Sequence, residues 1–188
     1  RFLMLLWKNT RTLDSFMKDI FITDNKKKAD VILMGSKTIA LEEFPNLRGI
    51  FRVGVSTTNV PISEANKKGV EIGFPSEKTK TYIFEETANF TCGLILKSNY
   101  LNLGTLKPWR KFSRQALSDK NLLILGQGKI GTLVKKRMEQ FLKVFVFDPL
   151  KYPNQNLEDL IKKSDFISIH IPDTRKNIGF FDRKKLSL

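Results

Sequence analysis

One short segment constrains the fold more than any other: an apolar run that leads directly into closely spaced glycines. Residues 121–125 are Asn-Leu-Leu-Ile-Leu, and Gly126, Gly128 and Gly131 follow in the pattern Gly-x-Gly-x-x-Gly. A helical pattern then covers residues 132–142. In such a unit the first glycine permits a tight turn, the second lets a pyrophosphate approach the backbone, and the third lets the helix pack closely on the strand. The segment therefore predicts dinucleotide binding.

The next predicted strand supplies an acid in the expected place. Asp148 ends this strand, 17 residues after Gly131. A carboxylate there accepts hydrogen bonds from the adenine-ribose hydroxyls and repels a 2′-phosphate. The free N–H groups and the dipole at the start of the intervening helix would face the phosphates. We therefore predict NAD rather than NADP as the cofactor; a glycine turn without a ligand is the alternative.

Short apolar runs alternate with helical patterns along the whole chain. The candidate strands are Phe2–Trp7, Ile20–Thr23, Val31–Met34, Gly49–Val53, Val70–Phe74, Asn121–Leu125, Val144–Asp148 and Phe166–Ile171. The candidate helices include residues 63–68, capped by Gly69, residues 157–164, and the long pattern Thr81–Tyr100, whose apolar face includes Cys92. Strands that alternate with helices predict right-handed βαβ units, parallel sheets and an α/β fold class. We interpret Cys92 as a core residue and not as a nucleophile.

Composition excludes several classes of protein. Among 188 residues, 41% are hydrophobic and 28% are charged, which is typical of a globular chain. No apolar run approaches the ~18 residues of a membrane-spanning helix. One cysteine and one histidine allow neither an internal disulfide nor a zinc cluster, and we expect a reducing, cytoplasmic location. The breakers Gly104 and Pro108 indicate a junction between domains, which we predict at 1–98 and 99–188.

The charge is strongly positive, with 33 Lys and Arg against 19 Asp and Glu, a net charge of +14. The sequence holds 24 Lys but only 9 Arg, and the lysines occur in short scattered runs. Sites that read nucleic-acid bases favour the planar arginine fork. We interpret the lysines as a solvated surface and do not expect a nucleic-acid partner; a functional polyanion patch is the alternative.

Further segments surround the glycine turn in a fixed order. They are residues 29–34 (ADVILM), 47–60 (LRGIFRVGVSTTNV), 65–72 (ANKKGVEI), 86–96 (ETANFTCGLIL), 117–120 (LSDK), 147–149 (FDP) and 170–174 (HIPDT). Together they resemble the NAD-dependent D-2-hydroxyacid dehydrogenases, the group of phosphoglycerate dehydrogenase and hydroxypyruvate reductase. The resemblance covers about residues 29–188. It implies two Rossmann-like or flavodoxin-like parallel-sheet domains with the active site between them.

The resemblance also assigns roles to residues and domains. Residues 1–98 would form the substrate domain, and 99–188 the N-terminal half of the NAD-binding Rossmann domain, so that this second domain is truncated. The backbone of Val53 and Gly54 would hold the substrate carboxylate, and Val55 would touch the cofactor. The implied cofactor site consists of Gly126, Gln127, Gly128, Lys129, Ile130, Gly131, Asp148, His170, Ile171 and Pro172. In it, Lys129 and Ile130 supply backbone contacts to the pyrophosphate, and His170 to Pro172 line the adenine side.

The activity implied by the resemblance is hydride transfer between NAD(H) and a small 2-hydroxy or 2-oxo acid, in a homodimeric parent protein. The family's catalytic Arg, acid and His lie beyond the last strand of this sequence, so we expect no catalytic residue within the chain and no turnover by the chain alone. The family's Asp is absent at Thr58-Asn59, and Gly35 before Ser36 argues against a phosphorylated substrate. The alternative is a non-catalytic, NAD-responsive binding or regulatory protein with a basic surface.

Overall fold

The computed structural model describes residues 3–113 and 115–188; the first residue of the predicted strand Phe2–Trp7 lies outside this range. The chain divides into two compact units, Arg1–Ile83 and Phe84–Leu188, called here the first and the second unit. This division falls within a long helix and precedes the predicted 98/99 junction. The assignment of a substrate domain to 1–98 and a cofactor domain to 99–188 stays a prediction.

The first unit contains one parallel sheet. Its strands are β1 (Leu6–Lys8), β2 (Val31–Met34), β3 (Gly49–Arg52) and β4 (Glu71–Gly73), hydrogen-bonded in the order β1-β2-β3-β4. Helix α1 (Ile62–Lys67) connects β3 to β4, and Gly69 ends it with a φ of 68°. The apolar residues that fill the core include Ile32, Met34, Leu41, Phe44 and Ile50. The cap predicted at Gly69 is confirmed, because Val70 N–H returns to the Ala65 carbonyl at 2.9 Å.

The predicted strand Ile20–Thr23 was wrong as a strand: it forms a single parallel bridge, between Ile22 and Leu6. The bridge lies on the side of β1 away from β2, since Leu6 also pairs with Val31. The side chains of Ile20, Phe21 and Ile22 are between 44% and 57% exposed. This edge segment therefore has little apolar packing that would stabilise a longer strand. If the bridge is counted as an edge strand, the sheet has the 2-1-3-4-5 order of flavodoxin-like folds.

The second unit is built on a smaller parallel sheet. Its elements are the end of helix α2 (Glu77–Asn99), a hairpin of β5 (Thr105–Leu106) and β6 (Trp109–Arg110), β7 (Asn121–Leu125), α3 (Lys129–Met138), β8 (Lys143–Phe147), α4 (Leu157–Lys162), β9 (Phe166–Ile169) and α5 (Arg183–Leu186). The sheet order is β8-β7-β9, and all pairs are parallel. The α/β class with parallel sheets is confirmed.

Alternating residues of β7 bury both faces of this sheet. Leu122 and Ile124 pack with Ala88 and Cys92 of α2 and with apolar residues of α3. Leu123 and Leu125 pack on the opposite face with Ile161 of α4. Cys92 is therefore a core residue, as predicted, and burial raises the pKa of its thiol above the ordinary value. In the described part of the chain, no helix combines the length and apolarity that a membrane span requires.

Candidate functional site

The strand order of the second unit places a topological switch point at the carboxyl end of β7. The chain runs from β7 to β8 on one side and then to β9 on the other, so neighbouring connections leave β7 in opposite directions. In open α/β sheets, ligands bind outside the carboxyl ends of strands at such a switch point. At this edge of the sheet, Gly126 directly follows β7, Asp148 directly follows β8 and His170 directly follows β9. The structure thus brings together three predicted site residues that are far apart in the sequence.

Two of the three glycines are fixed by contacts within the protein. Gly126 has a φ of 91°, in the left-handed region, and its N–H donates to the Phe147 carbonyl at 2.8 Å. A side chain on Gly126 would also meet the His170 carbonyl oxygen at 2.8 Å. A side chain on Gly131, inside α3, would overlap the carbonyl oxygen of Gly126. These contacts agree with the roles that the pattern assigns: Gly126 forms the tight turn, and Gly131 allows α3 to pack closely against β7.

Gly128 differs from the other two glycines. Its φ of −72° is ordinary for any residue, and a Cβ placed on it would meet no atom within 4 Å. Gly128 is the N-cap of α3 and provides no side-chain cap, so N–H groups of the first helical turn have no side-chain acceptor. The fold itself therefore leaves open the space that a phosphate would occupy at the helix start.

Asp148 closes the glycine turn from the neighbouring strand. Its Oδ2 accepts a hydrogen bond from Gln127 N–H at 2.9 Å, and its Oδ1 accepts one from Leu150 N–H at 3.1 Å. These two bonds hold the half-buried carboxylate beside the turn. Its oxygens keep further lone pairs, which can accept hydrogen bonds from ribose hydroxyls. The position of Asp148 fits the role predicted for it, at the end of β8.

Two residues near Asp148 were not predicted from the sequence. Lys151 Nζ donates to the Gln127 carbonyl at 2.6 Å, and Tyr152 Oη contacts Gln127 Oε1 at 3.0 Å. Both side chains fix Gln127, the second residue of the turn. The only sequence signal for them is their place directly after the acidic strand end. Lys151 and Tyr152 therefore place an ammonium group and a phenol next to Asp148, where the adenine ribose is predicted to bind.

The remaining predicted cofactor contacts lie around the same turn. Lys129 begins α3, and its Nζ lies 4.9 Å from the centroid of the Phe84 ring, so its side chain is engaged by a cation–π contact. Ile130 is half-buried against the core beneath the helix. Ile171 packs in the core cluster on the other face of the sheet, and exposed Pro172 accepts a hydrogen bond from Asn177 Nδ2 at 2.8 Å. Their contacts with a cofactor stay predictions.

His170 is held against the turn by its backbone and by one neighbour. Its N–H donates to the Leu125 carbonyl at 2.7 Å, and its Nε2 lies 2.8 Å from the hydroxyl of buried Ser168. Burial lowers the pKa of the imidazole below its ordinary value, so the ring is neutral at pH 7. A neutral ring packed beside the turn is consistent with a positioning role.

This pKa shift predicts a pH dependence of stability. Because the folded state resists protonation of His170, the unfolded chain binds more protons below the ordinary pKa of about 6.5, and the free energy of unfolding falls as the pH decreases through that value. We expect the decline between pH 7.5 and 5.5 to be smaller in His170→Gln. Urea unfolding of both proteins at the two pH values measures it. Equal declines would contradict the assignment.

The first unit places Val53, Gly54 and Val55 directly after β3. All three are half-buried, and Val53 N–H donates to the Met34 carbonyl at 3.1 Å. The preceding residue, Arg52, is 8% exposed, and its Nε donates to Asn59 Oδ1 at 3.3 Å. Asn59 Nδ2 in turn donates to the Gly35 carbonyl at 2.9 Å. This network at the carboxyl edge of the sheet was missed from the sequence.

The fold and the glycine turn define the second unit as a dinucleotide-binding α/β domain of the Rossmann type. Residues 98–188 match the family model described as the D-isomer specific 2-hydroxyacid dehydrogenase, NAD binding domain. This match confirms the resemblance to the D-2-hydroxyacid dehydrogenase family and NAD as the cofactor.

Individual relatives agree with this family. The chain is 28% identical over 178 residues to a hydroxypyruvate reductase from Thermotoga maritima, covering 85% of this chain and 57% of that protein. It is 28% identical over 181 residues to a D-3-phosphoglycerate dehydrogenase from Mycobacterium tuberculosis strain H37Rv, covering 85% of this chain and 34% of that protein. The chain therefore spans between about a third and somewhat more than half of these relatives.

Solved structures share the fold. The D-lactate dehydrogenase of Aquifex aeolicus, solved with NAD and lactic acid, aligns with a TM-score of 0.67 at 21% identity, over 98% of this chain and 65% of that one. The phosphoglycerate oxidoreductase of Vibrio cholerae aligns with a TM-score of 0.71 at 16% identity, over 99% and 72% of the two chains. At these identities the likeness establishes the fold alone.

Proposed function

We propose that the protein to which this chain belongs is an oxidoreductase of the D-2-hydroxyacid dehydrogenase type, which transfers hydride between NAD(H) and a small 2-hydroxy or 2-oxo acid. The observation that carries the proposal is the open glycine turn of the second unit, within a domain that matches the family's NAD-binding domain. The relatives named as hydroxypyruvate reductase and phosphoglycerate dehydrogenase support the same class of substrate.

Each unit has a separate task in this proposal. In the second unit, the N–H groups at the start of α3 bind the pyrophosphate, and Asp148 accepts hydrogen bonds from the adenine ribose. NAD supplies the hydride acceptor or donor. In the first unit, the backbone of Val53 and Gly54 holds the substrate carboxylate. His170, Ile171 and Pro172 form the wall on the adenine side.

The proposal is tested by titrating the chain with NADH and following fluorescence, and then by following NADH absorbance with glyoxylate, hydroxypyruvate and 3-phosphohydroxypyruvate. We expect saturable NADH binding by the chain and, in a protein that extends it to the full length of its relatives, turnover with at least one of these acids. NADH binding without any turnover of that protein would favour the regulatory alternative. Absence of NADH binding would overturn both.

Asp148 carries the expected preference for NAD. Its carboxylate would lie against a 2′-phosphate, and like charges in contact cost several kcal/mol. In Asp148→Asn the Oδ1 acceptor remains while the charge is lost, so we expect the ratio of NADPH to NADH affinity to rise at least about tenfold. Parallel fluorescence titrations with both cofactors measure this ratio.

The matched control is Asp159→Asn, which removes the same charge from an exposed position on α4. This change should leave both affinities unaltered. Tighter binding of NADPH than of NADH by the unaltered chain would contradict the assignment of Asp148.

A homodimer and a cytoplasmic location are further parts of this proposal. Large apolar side chains are exposed on the second unit, at Phe90 and Leu94 of α2, at Leu106 and Trp109 of the hairpin, and at Phe141. An exposed apolar surface of this kind supports association with a second copy. The single cysteine supports a reducing compartment.

A further inference from the structure

Gln127, the second residue of the glycine turn, is held by the loop that follows β8. Its N–H donates to Asp148 Oδ2 at 2.9 Å, and its carbonyl accepts from Lys151 Nζ at 2.6 Å. Its side-chain Oε1 accepts from the Tyr152 hydroxyl at 3.0 Å. The hydroxyl of Thr132 reaches the same carbonyl at the longer distance of 3.4 Å. One short loop therefore binds the N–H, the carbonyl and the side chain of a single turn residue.

The position of Gln127 in the chain makes these bonds consequential. Glycine has more backbone freedom than any other residue, and Gln127 lies between Gly126 and Gly128. A turn that samples several conformations loses that freedom when a ligand binds, which weakens the binding. Fixing Gln127 in advance removes part of this entropic cost.

The carbonyl that Lys151 holds belongs to the peptide that enters α3. Within the described residues the one cis peptide is Lys107–Pro108, so the Gln127–Gly128 peptide is trans. In a planar trans peptide the C=O and N–H groups point in opposite directions. A bond that fixes the Gln127 carbonyl therefore also fixes the direction of the Gly128 N–H, at the N-cap of α3.

Lys151 and Tyr152 contribute to the turn and not to the core. Both residues are exposed. Their N–H groups donate to the Asp148 carbonyl at 3.0 and 2.7 Å, and this tight backbone turn brings both side chains back to Gln127. Since neither side chain fills the hydrophobic core, packing does not explain why both converge on one turn residue.

We propose that Lys151 is a positioning residue for NAD: it holds the Gln127 carbonyl, and with it the peptide that enters α3, in the conformation that binds the pyrophosphate. Tyr152 is a second positioning residue, which acts through the Gln127 side chain. The inference rests on the proposed function only in placing the pyrophosphate at the start of α3, and it is independent of the substrate. Neither residue needs to touch the cofactor.

Lys151→Met removes the ammonium donor and keeps a side chain of similar length. Without cofactor, we expect the ¹⁵N NMR order parameter of the Gly128 N–H to fall, because its peptide is no longer held. We also expect the NADH dissociation constant, measured by fluorescence titration, to rise at least about fivefold. Lys151→Arg, which keeps the charge and the donors, should recover most of this loss. Unchanged NADH affinity in Lys151→Met would overturn the proposal. Weaker binding with an unchanged order parameter would overturn it as well, because Lys151 would then act on the cofactor directly.

The matched control is Lys162→Met, which removes the same charge at the exposed last residue of α4. It should leave the Gly128 order parameter and the NADH affinity unaltered. An equal loss of affinity in this control would show that only the net charge matters, and would also overturn the proposal. Thermal unfolding checks that each variant is folded.

Tyr152 is tested by a double-mutant cycle with Gln127. Tyr152→Phe alone should weaken NADH binding about threefold, the effect of one neutral hydrogen bond. In the Gln127→Leu background the same change should have no further effect, because the partner of the hydroxyl is gone. A loss that persists in that background would reject Tyr152 as a positioning residue, since it would then contact the cofactor itself.

NADH titration of the unaltered chain separates this inference from the proposed function. Saturable binding that none of these variants weakens would reject the positioning residues alone. Absence of binding by the unaltered chain would overturn the proposed function, and the inference with it.

Discussion

Replacing Gly131 with alanine is expected to destabilise the second unit by about 3 kcal/mol, the upper range for an overpacked interior. The added Cβ would overlap the carbonyl oxygen of Gly126 and lie 3.4 Å from Cγ2 of Ile124. The first neighbour is backbone, fixed in the turn by the hydrogen bond of Gly126 to Phe147, so it cannot rotate away as a side chain does. Relief requires α3 to separate from β7, which exposes Val134 and Met138. Urea unfolding measures the loss.

Gly93→Ala is the matched control, because Gly93 is also inside a helix. A Cβ on Gly93 meets no atom within 4 Å, and the residue is exposed on α2. Alanine there should stabilise the protein by roughly 0.5–1 kcal/mol, the usual helix-interior effect. A similar gain for Gly131→Ala would show that the helix and strand are not in the close contact described.

The parts of the fold that the sequence predicts well are those determined by local burial. Strands β2 and β7 have the predicted bounds, since their apolar runs are almost entirely buried and end at glycine. Helix α3 begins at Lys129 rather than at 132, because Gly131 lies inside the first turn of the helix. The hairpin of β5 and β6 was not predicted, since four exposed residues give no hydrophobic alternation.

The parts of the candidate site that escaped prediction depend on contacts between distant residues. Arg52 and Asn59 are seven residues apart, but their link to β2 runs through the carbonyls of Met34 and Gly35. No sequence pattern shows that a charged strand end will be buried in such a network. Lys151 and Tyr152 reach Gln127 across the sheet for the same reason. A glycine turn can be predicted from the sequence because the backbone conformation it requires depends on neighbouring residues. A side-chain network cannot be predicted in this way because it depends on residues that are distant in the sequence.

Replacing Gly128 with valine is expected to weaken NADH binding by roughly 100-fold, the equivalent of losing one or two hydrogen bonds to a charged group. The backbone there has φ −72° and ψ −162°, which a β-branched residue adopts without strain. Since a Cβ meets nothing within 4 Å, the fold should be unaffected. The valine methyl groups instead occupy the space at the start of α3 where the pyrophosphate approaches. NADH fluorescence titration measures the binding, and thermal unfolding measures the fold.

Gly49→Val, at the start of β3, is the control for adding the same side chain elsewhere. A Cβ on Gly49 would lie 3.7 Å from the Glu71 carbonyl oxygen, an ordinary contact, and valine favours strands. This variant should bind NADH like the unaltered chain. Together with a selective loss in Gly128→Val at unchanged melting temperature, that result would locate the pyrophosphate at the glycine turn. Unchanged NADH affinity in Gly128→Val would place the cofactor elsewhere, because no bound pyrophosphate could share that space with the valine side chain.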